Sequence, residues 1–294
     1  MRLIRLRHVG VESPLPEGLA WADVVQCIDD IEARDPLVLP TDRALLETAP
    51  SVALAVDDRG LVCGVATGHG TPEGWQVNLG VPPGRRRHGV GAALLAAVAG
   101  DQPVVVIGCD AAHARVRRFL LGQGFTLGGV VFHQRWDGEV ADVAPAFGTA
   151  QLAPIGEGAS HGPGRPADDV SIDPVQAVAL LHAASQGAWP RPALEAADVE
   201  AGLLAMRDGV PVGVLLAHRE ADAWELDGLA VRAEARRLGV GRALLTEWMR
   251  RAAKAGIGVC LRVAQSNEEG LGFTQNLGFW TYRTWAQFRR ERPA

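Results

Sequence analysis

Apolar positions along the chain follow two rhythms. Met1-Arg2-Leu3-Ile4-Arg5-Leu6-Arg7 alternates as a strand does. From Trp21 to Ala33 the spacing changes, and Trp21, Val24, Val25, Ile28 and Ile31 recur at helical intervals. A shorter helix is predicted to start at the cap Thr41, with Leu45 and Leu46 on its inner face. Ser51–Val56 and Leu61–Thr67 read as strands around Asp57-Asp58-Arg59-Gly60, a hairpin turn. Gly74–Val81 is the next strand, a helix covers roughly 90–99, and Val104–Gly108 is an apolar run expected to be a buried strand. His113–Leu121 reads as a helix closed by Gly122-Gln123-Gly124-Phe125, and a last strand runs to about Trp136.

The same order then repeats. Pro174–Ala184 is helical in pattern, with Val175, Val178, Ala179 and Leu181–His182 as its inner stripe. Ala201–Met206 and Val212–Ala217 flank Arg207-Asp208-Gly209, Trp224–Val231 is a strand, and Val240–Ala253 is a helix. Val259–Ala264 is a buried strand, Leu271–Leu277 a helix closed by Gly278-Phe279, and Trp280–Arg289 the last strand. Gly64 and Gly213, His69 and His218, Trp75 and Trp224 are each 149 positions apart, which indicates an internal duplication. The predicted organisation is two α/β domains, 1–140 and 141–294. The Gly- and Pro-rich stretch Gly156–Pro166, within a loop near 156–170, reads as a mobile loop or linker. If Gln151–Ile155 opens the second half, that stretch lies inside the second domain.

Composition narrows the function classes. Of 294 residues 48% are apolar, enough for a core in each half, and no apolar run reaches the roughly 18 residues of a membrane span. The N-terminal stretch lacks the apolar core of a signal peptide. Cys27, Cys63, Cys109 and Cys260 are widely separated, as expected of reduced thiols in a cytoplasmic protein. A net charge of −5 argues against a nucleic-acid partner. Lys254 is the only lysine against 28 arginines, which suggests a GC-rich bacterial genome.

One run occurs twice and organises both halves. The first copy is Val81-Pro82-Pro83-Gly84-Arg85-Arg86-Arg87-His88-Gly89-Val90-Gly91. The second is Val231-Arg232-Ala233-Glu234-Ala235-Arg236-Arg237-Leu238-Gly239-Val240-Gly241, 150 positions on. Strand, tight Arg-Gly loop and helix aim backbone N–H groups at one point on the positive end of a helix dipole, an anion site suited to a pyrophosphate. No Gly-Lys-Ser/Thr follows, so it is not a Walker loop, and Leu94 or Leu244 takes the third glycine position of a dinucleotide fingerprint.

With these parts the chain resembles the GNAT family of acetyl-coenzyme A-dependent N-acetyltransferases, in tandem. The family pattern Gln/Arg-x-x-Gly-x-Gly/Ala stands as Arg86, Gly89, Gly91 and as Arg236, Gly239, Gly241. The later motif runs from Asn267 to Gly278-Phe279, with His113 in the Asn position ahead of Gly124-Phe125. The resemblance implies two domains, each with a mixed central sheet splayed between its fourth and fifth strands and flanked by helices. It implies acetyl-coenzyme A as co-substrate and no metal. In the second half, Leu229, Ala230, Val231, Arg236, Arg237, Leu238, Gly239, Val240, Gly241, Arg242 and Asn267 are the implied cofactor contacts. Their first-half counterparts are Val81, Arg86, Arg87, His88, Gly89, Val90 and Gly91. The sequence departs from the family at the thiolate acid, because the usual tyrosine position is Thr274, or Leu120 in the first half. Tyr282, the one tyrosine, is either a substitute acid or a structural residue.

The halves diverge just before the loop. Trp224-Glu225-Leu226-Asp227-Gly228-Leu229 stands against Trp75-Gln76-Val77-Asn78-Leu79, so both carboxylates are amides in the first copy. Glu225 and Asp227 share a strand face and serve either as base and amine-binding groups or as solvent-facing polar residues. The repeat offset slips from 149 to 150 here, so Gly228 marks either a β-bulge or a simple insertion. His69 and His218 read as loop residues, Cys109 and Cys260 as inert fillers, and Trp280 and Trp285 as interface or core aromatics. Ser266 follows the fifth strand near the gap, as a candidate contact to cofactor or acceptor. The expected function is acetyl transfer to a primary amine of a small molecule, in the second half of a monomer or homodimer. The first half is expected to be degenerate in catalysis. The alternatives are a non-catalytic acyl-coenzyme A sensor or scaffold, and a protein N-acetyltransferase.

Overall fold

The computed structural model describes residues 1–7, 15, 18–33, 49–139, 150–156, 179–180, 201–220 and 222–292. The helix expected from Thr41, the stretch 157–170 and most of the helix Pro174–Ala184 lie outside the described residues; Ala179 and Leu180 of the latter are helical. The chain forms two compact units, Met1–Val131 with Thr284–Ala294, and Phe132–Arg283.

Along the first stretch run β1 (Arg2–Arg7), α1 (Trp21–Glu32), β2 (Ser51–Val56), β3 (Val62–Thr71), β4 (Gly74–Gly80), α2 (Val90–Ala99), β5 (Val104–Asp110), α3 (Ala114–Gly122) and β6 (Thr126–Trp136). Then follow β7 (Gln151–Gly156), β8 (Ala201–Arg207), β9 (Val210–Glu220), β10 (Ala223–Val231), α4 (Val240–Lys254), β11 (Gly258–Ala264), α5 (Glu268–Gln275) and β12 (Trp280–Glu291). Among the described residues the predicted elements are present with shifted ends. Asn267 caps α5 and starts it three residues earlier than its apolar spacing suggests. Gln151–Ile155 is indeed a strand, antiparallel to β8, so the Gly-Pro stretch follows the opening strand of the repeat.

In the first unit the sheet order is β1-β2-β3-β4-β5, antiparallel except for the parallel β4–β5 step. In β2 the residues Val52, Leu54 and Val56 pack under α1 with Val24, Cys27, Ile28 and Ile31, while Ala53 and Ala55 face α2 with Leu94, Leu95 and Val98. Burial of both faces explains a strand that is apolar from Val52 to Val56. The second unit repeats the arrangement as β7-β8-β9-β10-β11. There Leu203 and Ala205 join Leu244, Leu245, Trp248 and Met249 of α4, and Leu204 and Met206 face the opposite core. Gly64 and Gly213 recur because each lies under its helix: a Cβ would stand 2.8 Å from Leu94 Cδ1 or 2.9 Å from Val240 Cγ1.

The ends of the repeats are exchanged. Trp285–Glu291 of β12 pairs antiparallel with Asp110–Val104 of β5, and Ala286 and Phe288 are buried in the first unit's core. Residues 132–136 of β6 belong to the second unit, beside β11, with Trp136 in its core. A cut near 140 separates the repeats in sequence, whereas the compact units each take one strand segment from the other repeat. Among the described residues, no helix is long and apolar enough to cross a membrane.

The exchange makes a C-terminal residue structural for the first unit. Phe288→Ala is expected to destabilise that unit by about 3–5 kcal/mol through lost burial and an unfilled cavity. Hydrogen exchange should quicken at the β5 amides and stay unchanged in α4; unaltered β5 protection would contradict the pairing.

Candidate active site

The sheet opens in the same place in both units. β10 and β11 pair in parallel at Ala223–Gly258, Trp224–Val259 and Glu225–Cys260, and at no later position among the described residues. β4 and β5 likewise pair at Trp75–Val105, Gln76–Val106 and Val77–Ile107 before parting. Beyond these rungs the facing backbone edges lack their strand partner, which leaves room for an extended ligand with amides of its own.

The parting strands lead into the two Arg-Gly loops, which share one backbone form. Arg87 and Arg237 adopt positive φ, 69° and 63°, and the helix N-caps Gly89 and Gly239 follow at 78° and 81°. A residue with a Cβ pays for such a conformation, so glycine at 89 and 239 sets the turn. Neither α2 nor α4 has a side-chain N-cap, so their first amides point outward at the positive helix end. Arg86 Nε donates to Val81 O at 2.8 Å and Arg236 Nε to Val231 O at 3.1 Å. These arginines brace the loop against the end of its strand, and backbone amides are left to hold the anion. Arg237 pairs with Glu269 at 2.5 Å on the surface, and His88, Leu238 and Arg242 are exposed. Val90 and Val240 are buried under the sheet, while Gly91 and Gly241 stand at the helix start. A loop of this form suits an anionic ligand.

The second unit adds chemistry at the parting. The β10–β9 register shifts between Leu226 and Gly228, so Asp227 is the extra residue of a β-bulge; β4 and β3 pair without a shift. Glu225 and Asp227 are 4% and 3% exposed, which overturns the solvent-facing alternative. Each has a partner. Arg262 Nε of β11 donates to Glu225 Oε1 at 2.7 Å, and His218 Nδ1 of β9 lies 2.9 and 3.0 Å from the two Asp227 oxygens. His218 and Glu225 are opposite each other in the ladder, so all four side chains gather on one face. Leu229 and Val231 line the α4 core, and Ala230 faces the opposite one.

Other candidates are placed differently from expectation. His69 and His218 lie within β3 and β9 and are not loop residues, because both hairpin strands run longer than their apolar cores. Asn267 Oδ1 accepts Gly270 N at 2.9 Å as the α5 cap, and Ser266 is exposed beside it. Trp280 is exposed rather than core, edge-on to Tyr282. Thr274 is buried and donates to Gln134 Oε1 at 2.6 Å, and Leu120 is fully buried, so neither tyrosine position offers an acid. Tyr282 is 45% exposed and stands edge-on to His133. Its partial burial, with the nearby Cys260 and Glu225 adding to the shift, pushes its phenol up to about 12. It is therefore a donor at neutral pH. Burial raises Cys260 to about 11, in keeping with an inert thiol. Among the described residues no cluster of His, Cys, Asp and Glu could hold a metal. Sequence reasoning missed His218 and Arg262; the matched pair His69/His218 was the available signal for the first.

Comparison with known proteins agrees with this geometry. Residues 176–279 match the acetyltransferase (GNAT) family. No curated protein matches the sequence. A GCN5-related N-acetyltransferase from Sphaerobacter thermophilus is 18% identical, with a TM-score of 0.67 over 99% of this chain and 96% of that one. A tandem GNAT protein of the clavulanic acid biosynthesis pathway, solved without AcCoA, is 18% identical, with a TM-score of 0.68 over 100% of both chains. A glucosamine N-acetyltransferase region of a fungal multi-domain β-N-acetylglucosaminidase is 14% identical, with a TM-score of 0.60 over 98% of this chain and 38% of that one. The chain is a tandem GNAT-fold protein, and its second half carries the match to the GNAT family.

Tyr282 is the chain's single tyrosine, so its ionisation can be read by tyrosinate absorbance without interference. At pH 11 the native protein should keep the phenol mostly protonated, and denaturant should ionise it at once, since its midpoint falls from about 12 to about 10. Full ionisation of the native protein at pH 11 would remove Tyr282 from the neighbourhood of Glu225.

Proposed function

We propose that the protein is an N-acetyltransferase that moves an acetyl group from acetyl-coenzyme A to a primary amine of a small molecule, in the second unit. The observation that carries this reading is the coincidence of three features in β10. The strand parts from β11 after Glu225, bulges at Asp227, and ends in an uncapped anion loop. Acetyl-coenzyme A, when bound, supplies an activated acetyl thioester. The amides of Arg237 to Arg242 hold its pyrophosphate, and the edge of β10 near Leu229 and Val231 pairs with its pantetheine amides. The bulge turns a backbone N–H toward the thioester carbonyl, as an oxyanion donor. The buried carboxylates Glu225 and Asp227 attract a cationic amine and serve its deprotonation.

The first unit keeps the loop, through Arg86 to Gly91, but has Gln76 and Asn78 in place of the two carboxylates. We assign it cofactor binding without turnover. A sensor or scaffold role for the whole chain draws support from Thr274 and Leu120, both buried where the family places its acid. That reading predicts acetyl-coenzyme A binding without thiol release. The protein is read as a bacterial cytoplasmic enzyme, a monomer or homodimer, with no nucleic-acid or membrane partner.

Calorimetry with acetyl-coenzyme A separates these possibilities. A Cβ at Gly241 stands 3.6 Å from its nearest neighbour, and one at Gly91 stands 3.4 Å away, so Gly241→Val and Gly91→Val should fold. The wild type should bind two equivalents and each variant one, with affinity at the altered site down about tenfold or more, as expected for lost charge-assisted amide contacts. Thiol release with a primary-amine panel should vanish in Gly241→Val alone. Full turnover in that variant would place the working site elsewhere.

A further inference from the structure

We propose that His218 is the proton acceptor of the second unit and that Asp227 is its positioning residue, with Glu225 left to bind the amine; this rests on the acetyltransferase reading above. The argument begins with where each carboxylate spends its charge. Glu225 is buried and receives Arg262 Nε at 2.7 Å, so a fixed cation neutralises it. Asp227 is equally buried, and both its oxygens lie within 3.0 Å of His218 Nδ1. An ionised carboxylate only accepts, so Nδ1 must carry the hydrogen. That fixes the neutral imidazole with its lone pair on Nε2. His218 is 30% exposed on its side chain against 3% for Asp227, so the ring is the reachable member of the pair.

The pair sits at the bulge. Glu225 and Asp227 share a strand face, and Asp227 has no rung opposite it in β9 while its carboxylate meets His218. β4 pairs with β3 through the matching stretch without a bulge. The first unit thus serves as an internal control. His69 occupies the matching rung opposite Gln76, and Asn78 stands where Asp227 does. His69 Nδ1 is buried with no hydrogen-bond partner, and burial lowers its pKa. The two histidines are a matched pair, one oriented by a carboxylate and one not. A carboxylate on Nδ1 orients the ring and stabilises the imidazolium that forms when Nε2 takes a proton.

In the transfer, the amine nitrogen bonds to the acyl carbon and the carbon–sulfur bond breaks, its electron pair leaving on sulfur. The amine attacks as the neutral base, a bound ammonium having first released a proton to solvent, and one further proton passes from its nitrogen to Nε2 of His218. The imidazolium then gives it up to the departing thiolate through solvent, which restores the neutral ring. No other reactant is consumed.

Two measurements test the proposal. The first is ring-nitrogen chemical shifts in protein labelled at its 8 histidines, with His218→Gln used for assignment. Neutral His218 should be the Nδ1–H tautomer; Asp227→Asn should convert it to Nε2–H, and Glu225→Gln should not. An Nε2–H tautomer in the wild type overturns the proposal. The second is turnover with a panel of small primary amines. His218→Gln and Asp227→Asn should each lower kcat about 100-fold or more with acetyl-coenzyme A affinity unchanged, whereas Glu225→Gln should chiefly raise the KM of the amine. Wild-type kcat in His218→Gln refutes the assignment. Failure of the wild type to bind acetyl-coenzyme A would instead refute the underlying reading, while the tautomer would still decide whether Asp227 orients His218.

Discussion

The parting of β10 from β11 is the constraint that everything in the second unit answers to. A parallel ladder normally satisfies every backbone group along its length, and this one stops after three rungs. Past Glu225 the edge of β10 is committed to no neighbour strand on the β11 side. Such an edge can be satisfied by water or by a ligand with its own donors and acceptors. The positions of bulge, loop and helix follow from this opening. The bulge falls just past the last rung, and the strand end and Arg-Gly loop lie beyond it. α4 starts with outward amides in line with the open edge.

Burying two carboxylates within three residues of one strand is possible only because each has a separate partner. An isolated buried carboxylate would protonate or distort its site, and two sharing one cation would repel. Here Arg262 comes from β11 and His218 from β9, on opposite flanks of β10. The carboxylates therefore differ in electrostatic setting although they are two positions apart in sequence. The first unit shows the other solution. Neutral Gln76 and Asn78 need no counter-charge, β4 needs no bulge, and His69 stays half-buried, its Nδ1 without a hydrogen-bond partner. The bulge, the two carboxylates and their partners thus form one coupled difference between the copies.

Much of the fold was legible because local chemistry fixed it. Helical and alternating spacings placed α1, α2, α4 and most strands, and the one-residue slip in the repeat located the bulge. What stayed hidden depended on long-range pairing. Arg262 is 37 positions from Glu225 and meets it only because a parallel rung joins β10 to β11. The exchange of β12 into the first unit joins Phe288 to Ile107, a pairing that no local pattern encodes. His218 looked like a loop residue because the apolar run of β9 ends at Ala217, one residue before it. The solvent-facing reading of Glu225 and Asp227 was reasonable for an alternating strand, and partners on both flanks defeated it.

The near-identity of the two loops and the divergence of the strands before them have a common physical origin. The loop's form rests on its backbone, so its side chains can vary: His88 stands where Leu238 does, and Ala92 where Arg242 does. Glycine at 89 and 239, with positive φ, keeps the turn, and one arginine braces it to the strand end in each copy. Such a device survives duplication with little constraint on sequence. Proton handling works the other way, since it depends on side-chain identity, on paired charges and on a bulge that positions them. A single carboxylate-to-amide change removes the charge that orients an imidazole, and leaves the loop untouched. The copies therefore keep one loop form in common, while only the second carries the buried charged groups before it.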